Sequence, residues 1–339
     1  VAITLADAQQ NCADDVDYAV IDEFRKNDFL LDSLTFDDAV VPGVGGATLS
    51  YGYTRLVTER AAQTRDYNAE VDYTPKATRT KVSVDLVPFG AGFTVDRVLG
   101  NLGPAATNEV NFQMAQAIKS TRAKVADSII DGASNSDSSF EGLDAILTGS
   151  STEVNGGVPG TDVLTVTDWR ASAITTAAAA HTAIDALDNL LSLLDGEPGA
   201  ILTNRQGRLR LRSIARVAGY LTQTEDKFGA QIDSYAGIPI VDLGARSASS
   251  NPIIPISTKD VDGAGAGASV SGLTDFYVVR FGLDGFHGVA TQGSQIVNTY
   301  LPDFSTQGAV KKGEVEMGPV AVALKATKAA AVLRNVRIS

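Results

Sequence analysis

The sequence predicts an α+β fold, and three changes of pattern carry the prediction. Apolar residues recur every three or four positions up to about residue 34, then alternate every two from Leu49 to Leu86. A helical stripe returns between Val110 and Ile129. Beyond it, short apolar runs alternate with helical segments to the end of the chain.

The first element is an amphipathic arm. Within DDVDYAVIDEFRKNDFLLDSLTFDD, residues Val16, Val20, Phe24, Leu30, Leu31 and Leu34 keep a helical spacing. VVPGVGGATL then breaks any helix with Pro42 and its glycines. An amphipathic arm followed by a flexible break suits a segment that packs on something outside its own domain.

From Leu49 the period is two. Leu49, Tyr51, Tyr53 and Val57 share one face, with Thr48, Ser50, Thr54 and Thr58 mostly on the other. After the polar stretch TERAAQTRDYNAEVDYTPKA, Val82, Val84 and Leu86 alternate with Lys81, Ser83 and Asp85. This is the pattern of a long β-hairpin. A two-stranded hairpin is marginal alone in water, and a long structureless loop is out of place inside a compact domain. The hairpin is therefore expected to project and be held by a neighbouring subunit; the alternative is a surface lobe folded back on its own domain.

The strongest helix follows. ATNEVNFQMAQAIKSTRAKVADSIIDG is capped at Thr107 or Asn108 and stopped at Gly132. Val110, Met114, Ala117, Ile118, Thr121, Val125 and Ile129 form its apolar stripe. At 1.5 Å per residue it would be roughly 36 Å long. FEGLDAIL opens the second half, before a Gly/Ser/Thr-rich loop over 148–160. An Ala-rich helix is expected from about Asp168 to Leu194, ended by Gly196 and Pro198. GAILTN is a buried strand, and Asn204 caps the helix RQGRLRLRSIARVAG. YAGIPIVDLG is a strand in which Pro239 marks an edge or a bulge. DGAGAGASVSG is a flexible loop, after which DFYVVRFG, FHGVAT, SQIVNTYL and GPVAVALKA supply strands. ATKAAAVLRNV closes the chain as a turn or a strand.

Composition narrows the function. The chain has 339 residues, 44% of them hydrophobic, enough for a substantial core. No apolar run approaches the ~20 residues of a membrane-spanning helix, and the N-terminus lacks the basic start and apolar core of a secretory signal. Cys12, the single cysteine, excludes an internal disulfide and fits a reducing cytoplasm. Net charge is −12, and residues 1–49 set ten acids against Arg25 and Lys26. Such a balance argues against tight binding along phosphates, which needs clustered cations. The acidic leader is either a solvated face or an arm that docks on a basic partner.

No catalytic, cofactor-binding or metal-binding residue is predicted. His181 and His287 form no metal-ligand pair, and Cys12 has no partner for a zinc site. Neither a nucleophile elbow nor a phosphate loop is present. Gly263, Gly265 and Gly267 lack the third glycine of a dinucleotide fingerprint, since Ala268 takes its place. One basic cluster remains. Arg205, Arg208, Arg212 and Arg216 fall on one helical face, with Arg210 to the side, while Leu211, Ile214 and Ala218 could seat the helix. Arginine pairs with carboxylates and phosphates alike, so the face meets an acidic neighbouring subunit, stays solvated, or meets nucleic acid.

The order of parts resembles a tailed-bacteriophage major capsid protein of the Hong Kong 97 type. The phrases that carry the resemblance are DFLLDSLTFDD and LSYGYTR early, FEGLDAIL after the long helix, then AILTNRQGRLRLRSIAR, YAGIPIVDLG and FYVVRFGLDGFHG. They span nearly the whole chain in the expected order. The resemblance implies an α+β, HK97-like capsid fold: an N-terminal arm over 1–47 and an extended E-loop hairpin over 48–87. A peripheral domain with a long spine helix would occupy 88–139, an axial α/β domain 140–275, and return strands of the peripheral domain 276–339. It implies a non-enzymatic shell protein, without cofactor, that assembles as pentamers and hexamers around packaged double-stranded DNA. The implied partners are copies of itself, a separate scaffolding protein, a portal and a decoration protein, with no membrane and no sequence-specific contact to DNA. The implied place is the virion capsid, assembled in the host cytoplasm. Some relatives carry a scaffolding segment before the arm; none shows here, so a separate scaffold or a removed segment is expected. The subunit contacts expected are Arg55, Arg60, Arg65, Asp66, Glu70, Lys76 and Arg79 in the loop, with Arg205, Arg208, Arg212 and Arg216 in the axial helix. An encapsulin shell of the same fold is the near alternative, and a soluble α/β enzyme the distant one.

Overall fold

The computed structural model describes residues 29–41, 49–74, 76–100, 104–133, 139–219, 222–225, 231–263, 269–292 and 296–339. The first part runs through α1 (Phe29–Ser33), β1 (Phe36–Val40), hairpin strands β2 (Ser50–Thr58) and β3 (Thr78–Asp85), and β4 (Val87–Asp96). A helical turn α2 (Arg97–Gly100) precedes the long α3 (Pro104–Asp131), then α4 (Leu143–Leu147). Next come β5 (Glu153–Val154), β6 (Thr167–Asp168), α5 (Ala177–Ser192), β7 (Ala200–Thr203), α6 (Arg205–Ala218) and β8 (Thr222–Glu225). They are followed by β9 (Gln231–Tyr235), β10 (Ile238–Asp242), β11 (Ser257–Asp260) and β12 (Ser269–Val279). Last are β13 (Phe286–Thr291), β14 (Val297–Tyr300), β15 (Val310–Leu324), a 3₁₀ turn (Thr327–Ala329) and β16 (Ala330–Arg337).

Two sheets organise these elements. The five-stranded sheet has the order β1-β13-β15-β14, with β4 on the other side of β15. The nine-stranded sheet runs β5-β16-β12-β7-β10-β9-β8, with β6 also on β16 and β11 also on β12. The central strands of the second sheet are buried on both faces, which is why they read as continuous apolar runs. One face, with Leu202, Tyr277, Val279 and Val332, joins a core shared with Val125, Ile129 and Ile130 of α3 and Val320, Val322 and Leu324 of β15. The other face, with Ile201, Phe276, Val278 and Leu333, packs under Ala183, Leu187 and Leu190 of α5 and Leu211 and Ile214 of α6. Each such aliphatic side chain contributes about 1.5–3 kcal/mol on full burial.

The long helix keeps its predicted stripe. Met114, Ala117, Thr121, Val125 and Ile129 are buried, and Val110 and Ile118 pack against them. It begins earlier than predicted, at Pro104, because proline fits the first turn of a helix, where its missing N–H has no partner to lose. It ends as predicted. A Cβ on Gly132 would stand 2.4 Å from the Ser128 carbonyl and 2.5 Å from that of Phe140, so only glycine lets the chain turn back there.

Other expectations are corrected. The arm phrase ends in a strand, FDDAV, and not in helix: β1 lies parallel to β13, and Phe36 covers Gly288. The arm positions Val16, Val20 and Phe24, and the break at Pro42, lie outside the described residues. The Ala-rich helix starts at Ala177, not near Asp168, with the Thr176 hydroxyl accepting the Ala179 amide. Before it, Thr167 and Asp168 pair with the free edge of β16, and Trp169 is buried 5.1 Å from the Phe276 ring. A strand edge and a core site thus outweigh the alanine signal. Strand β10 is interior, with β9 pairing Ile238–Pro239 and β7 pairing Ile240–Asp242. Pro239 therefore sits where one ladder hands over to the other, a place that tolerates a missing N–H. The 148–160 loop contains β5. The closing segment is both turn and strand, and it runs through the nine-stranded sheet. Sheet membership therefore does not follow the division at 276, since β12 and β16 share one sheet while β13–β15 belong to the other.

Candidate assembly surfaces

The hairpin is anchored at its base and bare beyond it. Ser50–Leu56 pair with Arg79–Asp85 in regular antiparallel register, and Thr58 meets Thr78 after a shift. Tyr51, Tyr53 and Arg55 lie on the same face and meet the end of β15. The Tyr53 hydroxyl donates to the Leu324 carbonyl at 2.8 Å, and Arg55 donates to the carbonyls of Leu324 (2.5 Å) and Lys325 (3.1 Å). Tyr51 is buried edge-on to His287 at 6.0 Å and donates to Asp37 at 3.2 Å. Burial, helped by the nearby Lys325 ammonium, pushes the His287 pKa down, so this ring is neutral at pH 7. Burial also raises the Tyr53 phenol.

From Leu56 to Lys81 every residue whose exposure is described is exposed. The apolar ones are conspicuous: Leu56 is 61% exposed, Tyr67 100% and Tyr73 77%. What order the tip has is local. Arg65 donates to the Ala69 carbonyl at 3.2 Å, the Ala69 amide to Asp66 at 3.2 Å, and the Thr74 amide to Asp72 at 2.9 Å. Of the predicted loop contacts, Arg60, Arg65, Asp66, Glu70, Lys76 and Arg79 all lie on this exposed stretch. Arg55 differs, because it is spent on its own chain at the hinge of the hairpin.

The second predicted surface is α6. Asn204 caps it as predicted, accepting the Gly207 amide at 2.8 Å while donating to Ile254 and Thr274. Gly219 closes it with φ 82°. The four arginines do not share one environment. Arg208 turns to β9 and donates to Asp233 at 2.9 Å, and Arg210 reaches the Trp169 carbonyl. Arg205, Arg212 and Arg216 are exposed, Arg212 standing 3.8 Å from Asp233.

Two polar joints escaped sequence reading. Arg334, buried in β16, donates to Asp144 at 2.5 Å, to Thr148 at 2.9 Å and to Glu153, with Asp275 3.7 Å away. The surrounding carboxylates hold its guanidinium charged despite burial. A lone arginine within AAAVLRNVR was the available signal. Arg246, in the loop after β10, bridges Asp131 (2.6 Å) and Asp127 (3.4 Å) of α3, and nothing in its sequence context marks it. Both joints bind the subunit to itself. Among the described residues no group of three or more His, Cys, Asp or Glu could hold a metal, and no helix is long and apolar enough to cross a membrane.

No protein-family model matches the chain, and no curated protein is similar to it in sequence. Solved structures are similar in fold. The holo-SrpI encapsulin complex from Synechococcus elongatus aligns with a TM-score of 0.60 at 15% identity, covering 99% of this chain and 97% of that one. A structure from Mycobacterium phage Ogopogo aligns with a TM-score of 0.57 at 11% identity, over 99% of this chain and 100% of that one. The capsid of Myoviridae phage XM1 aligns with a TM-score of 0.54 at 13% identity, over 98% of each chain. The chain has the HK97-type shell fold that phage capsids and encapsulins share.

Proposed function

We propose that this chain is the major structural protein of an icosahedral phage shell. It assembles from pentamers and hexamers of itself around double-stranded DNA and has no catalytic role. The observation that supports the reading most is the hairpin: an ordered base carries a long arm with exposed Tyr67 and Tyr73, on a shell fold. Exposed apolar area on an extended arm is stabilised by a partner that covers it. Obligate interfaces of this kind bury on the order of 2,000 Å² or more. A net charge of −12 suits a wall that encloses DNA without gripping its phosphates. On this reading the site of action is the virion capsid, built in the host cytoplasm with a separate scaffolding protein, a portal and a decoration protein as further partners.

An encapsulin-type compartment is the second reading, supported by the fold match to the encapsulin complex. Negative-stain imaging and composition of particles from cells that make the protein natively separate the two. Closed particles filled with duplex DNA are expected. Particles holding a co-purified enzyme and no genome favour the compartment, and a stable monomer that never assembles, even with scaffold, contradicts both.

A further inference from the structure

Helix α6 presents an outward-facing stripe, from which Arg212 comes within 3.8 Å of Asp233 of its own chain. Arg205, Leu209, Arg212 and Arg216 share its outward face, and Leu209 is 55% exposed. At 1.5 Å per residue the stripe is about 16 Å long. Arginine set among apolar side chains is the composition of interfaces more than of bare surface.

Helix α5 packs beside α6 and is its electrostatic opposite. Asp185 and Asp188 face outward from it, and exposed Asp195 and Glu197 continue the acidic line past its end. Asp188 also accepts the Tyr235 hydroxyl, which fixes that end of the stripe against β9. Copies of a chain with net charge −12 repel one another as whole bodies. Close approach therefore needs a local pairing of opposite signs.

We propose that the Arg205–Leu209–Arg212–Arg216 stripe of one copy docks on the acidic Asp185-to-Glu197 stripe of a second copy. This rests on the self-assembly reading and names the contact through which it acts. The self-assembly reading requires a contact that continues from copy to copy, so the two stripes are taken to meet heterologously, closing where the rotation allows a ring. Each exposed ion pair is weak on its own. Repetition around the ring and the apolar area of Leu209 supply the rest. Duplex DNA is the poorer occupant, because acidic residues flank the three exposed arginines.

Charge reversal with rescue tests this. One variant carries Arg212→Glu and Arg216→Glu; the other carries Asp185→Lys and Asp195→Lys, sparing the Asp188–Tyr235 bond. Circular dichroism checks folding and sedimentation velocity reads assembly. Each variant alone should remain as subunits at concentrations where the unmodified chain forms shells, and an equimolar mixture should form even-membered rings, since alternating copies then pair opposite signs at every contact. Assembly of either variant alone at the unmodified concentration overturns the proposal, as does a folded mixture that stays dissociated. So does an arginine variant that assembles normally but loses binding to short duplex DNA. If a reversal unfolds the chain, Arg216→Gln and Asp185→Asn replace it, and unchanged assembly of either has the same force. Failure of the unmodified chain to assemble brings down the shell reading itself, whereas intact assembly of a reversed variant brings down this contact alone.

Discussion

The outer hairpin and the centre of the nine-stranded sheet are opposite solutions to the same problem. In β7 and β16 nearly every side chain is buried, with strands paired on both edges and packed cores on both faces. In the hairpin beyond Leu56 nothing described is buried, and one strand pair stands alone. Both segments are β-structure, so propensity does not separate them. The difference lies in what covers each face. The central strands contain the apolar residues that stabilise them within one chain. The hairpin has enough of them only at its base, where Tyr51 and Tyr53 dock, and farther out the alternation gives way to a polar run. Stability in this molecule is concentrated, and on the proposed shell reading the arm is completed by another copy.

The most disruptive way to break the contrast is to remove the arm. Replacing Glu59–Lys76 by Asn-Gly closes β2 onto β3 with a short turn. The subunit should keep its helix content and thermal stability while assembly into particles is lost, as read by circular dichroism and electron microscopy. Normal particles from this variant would show that the arm is ornamental.

Removing a support from the self-sufficient region should do the reverse. Arg334→Ala leaves Asp144, Glu153 and Asp275 gathered around an empty place. Uncompensated charges of this kind cost about 3–5 kcal/mol, measurable by urea unfolding of the free subunit. A loss near zero would mean that the joint is solvated and not part of the core.

A smaller effect is expected where the two regions meet. The folded-state pKa of His287 is depressed by burial, so protons favour the unfolded chain. This contribution is intact above the unfolded value of about 6.5 and is lost as pH falls below it, until the folded ring itself protonates. Unfolding curves between about pH 7 and pH 5 should therefore show a downward slope that His287→Gln flattens. An unchanged slope in that variant assigns the effect to other groups.

The sequence was most informative where one chain segment decides its own structure. The stripe from Met114 to Ile129, the cap at Asn204 and the stop at Gly132 are local patterns, and each is found in place. It misled where a distant partner decides. Phe36 becomes strand because Gly288 leaves room for its ring, and Asp168 leaves the helix because β16 has a free edge. The candidate surfaces divide the same way. The polar run after Thr58 announced an exposed arm, but spacing alone placed Arg208 with Arg205, Arg212 and Arg216, whereas Asp233, 25 residues away in sequence, turns it inward. Leu209, the apolar member of the outward face, was read as part of a basic helix and not singled out.

Hydrogen exchange across residues 59–74, measured on free subunits and on assembled particles, tests the central claim most directly. The arm should exchange at nearly unfolded rates in the free subunit and become strongly protected in the particle, while β16 is protected in both. Equal and rapid exchange of the arm in both states, in particles shown to be intact, would contradict the account.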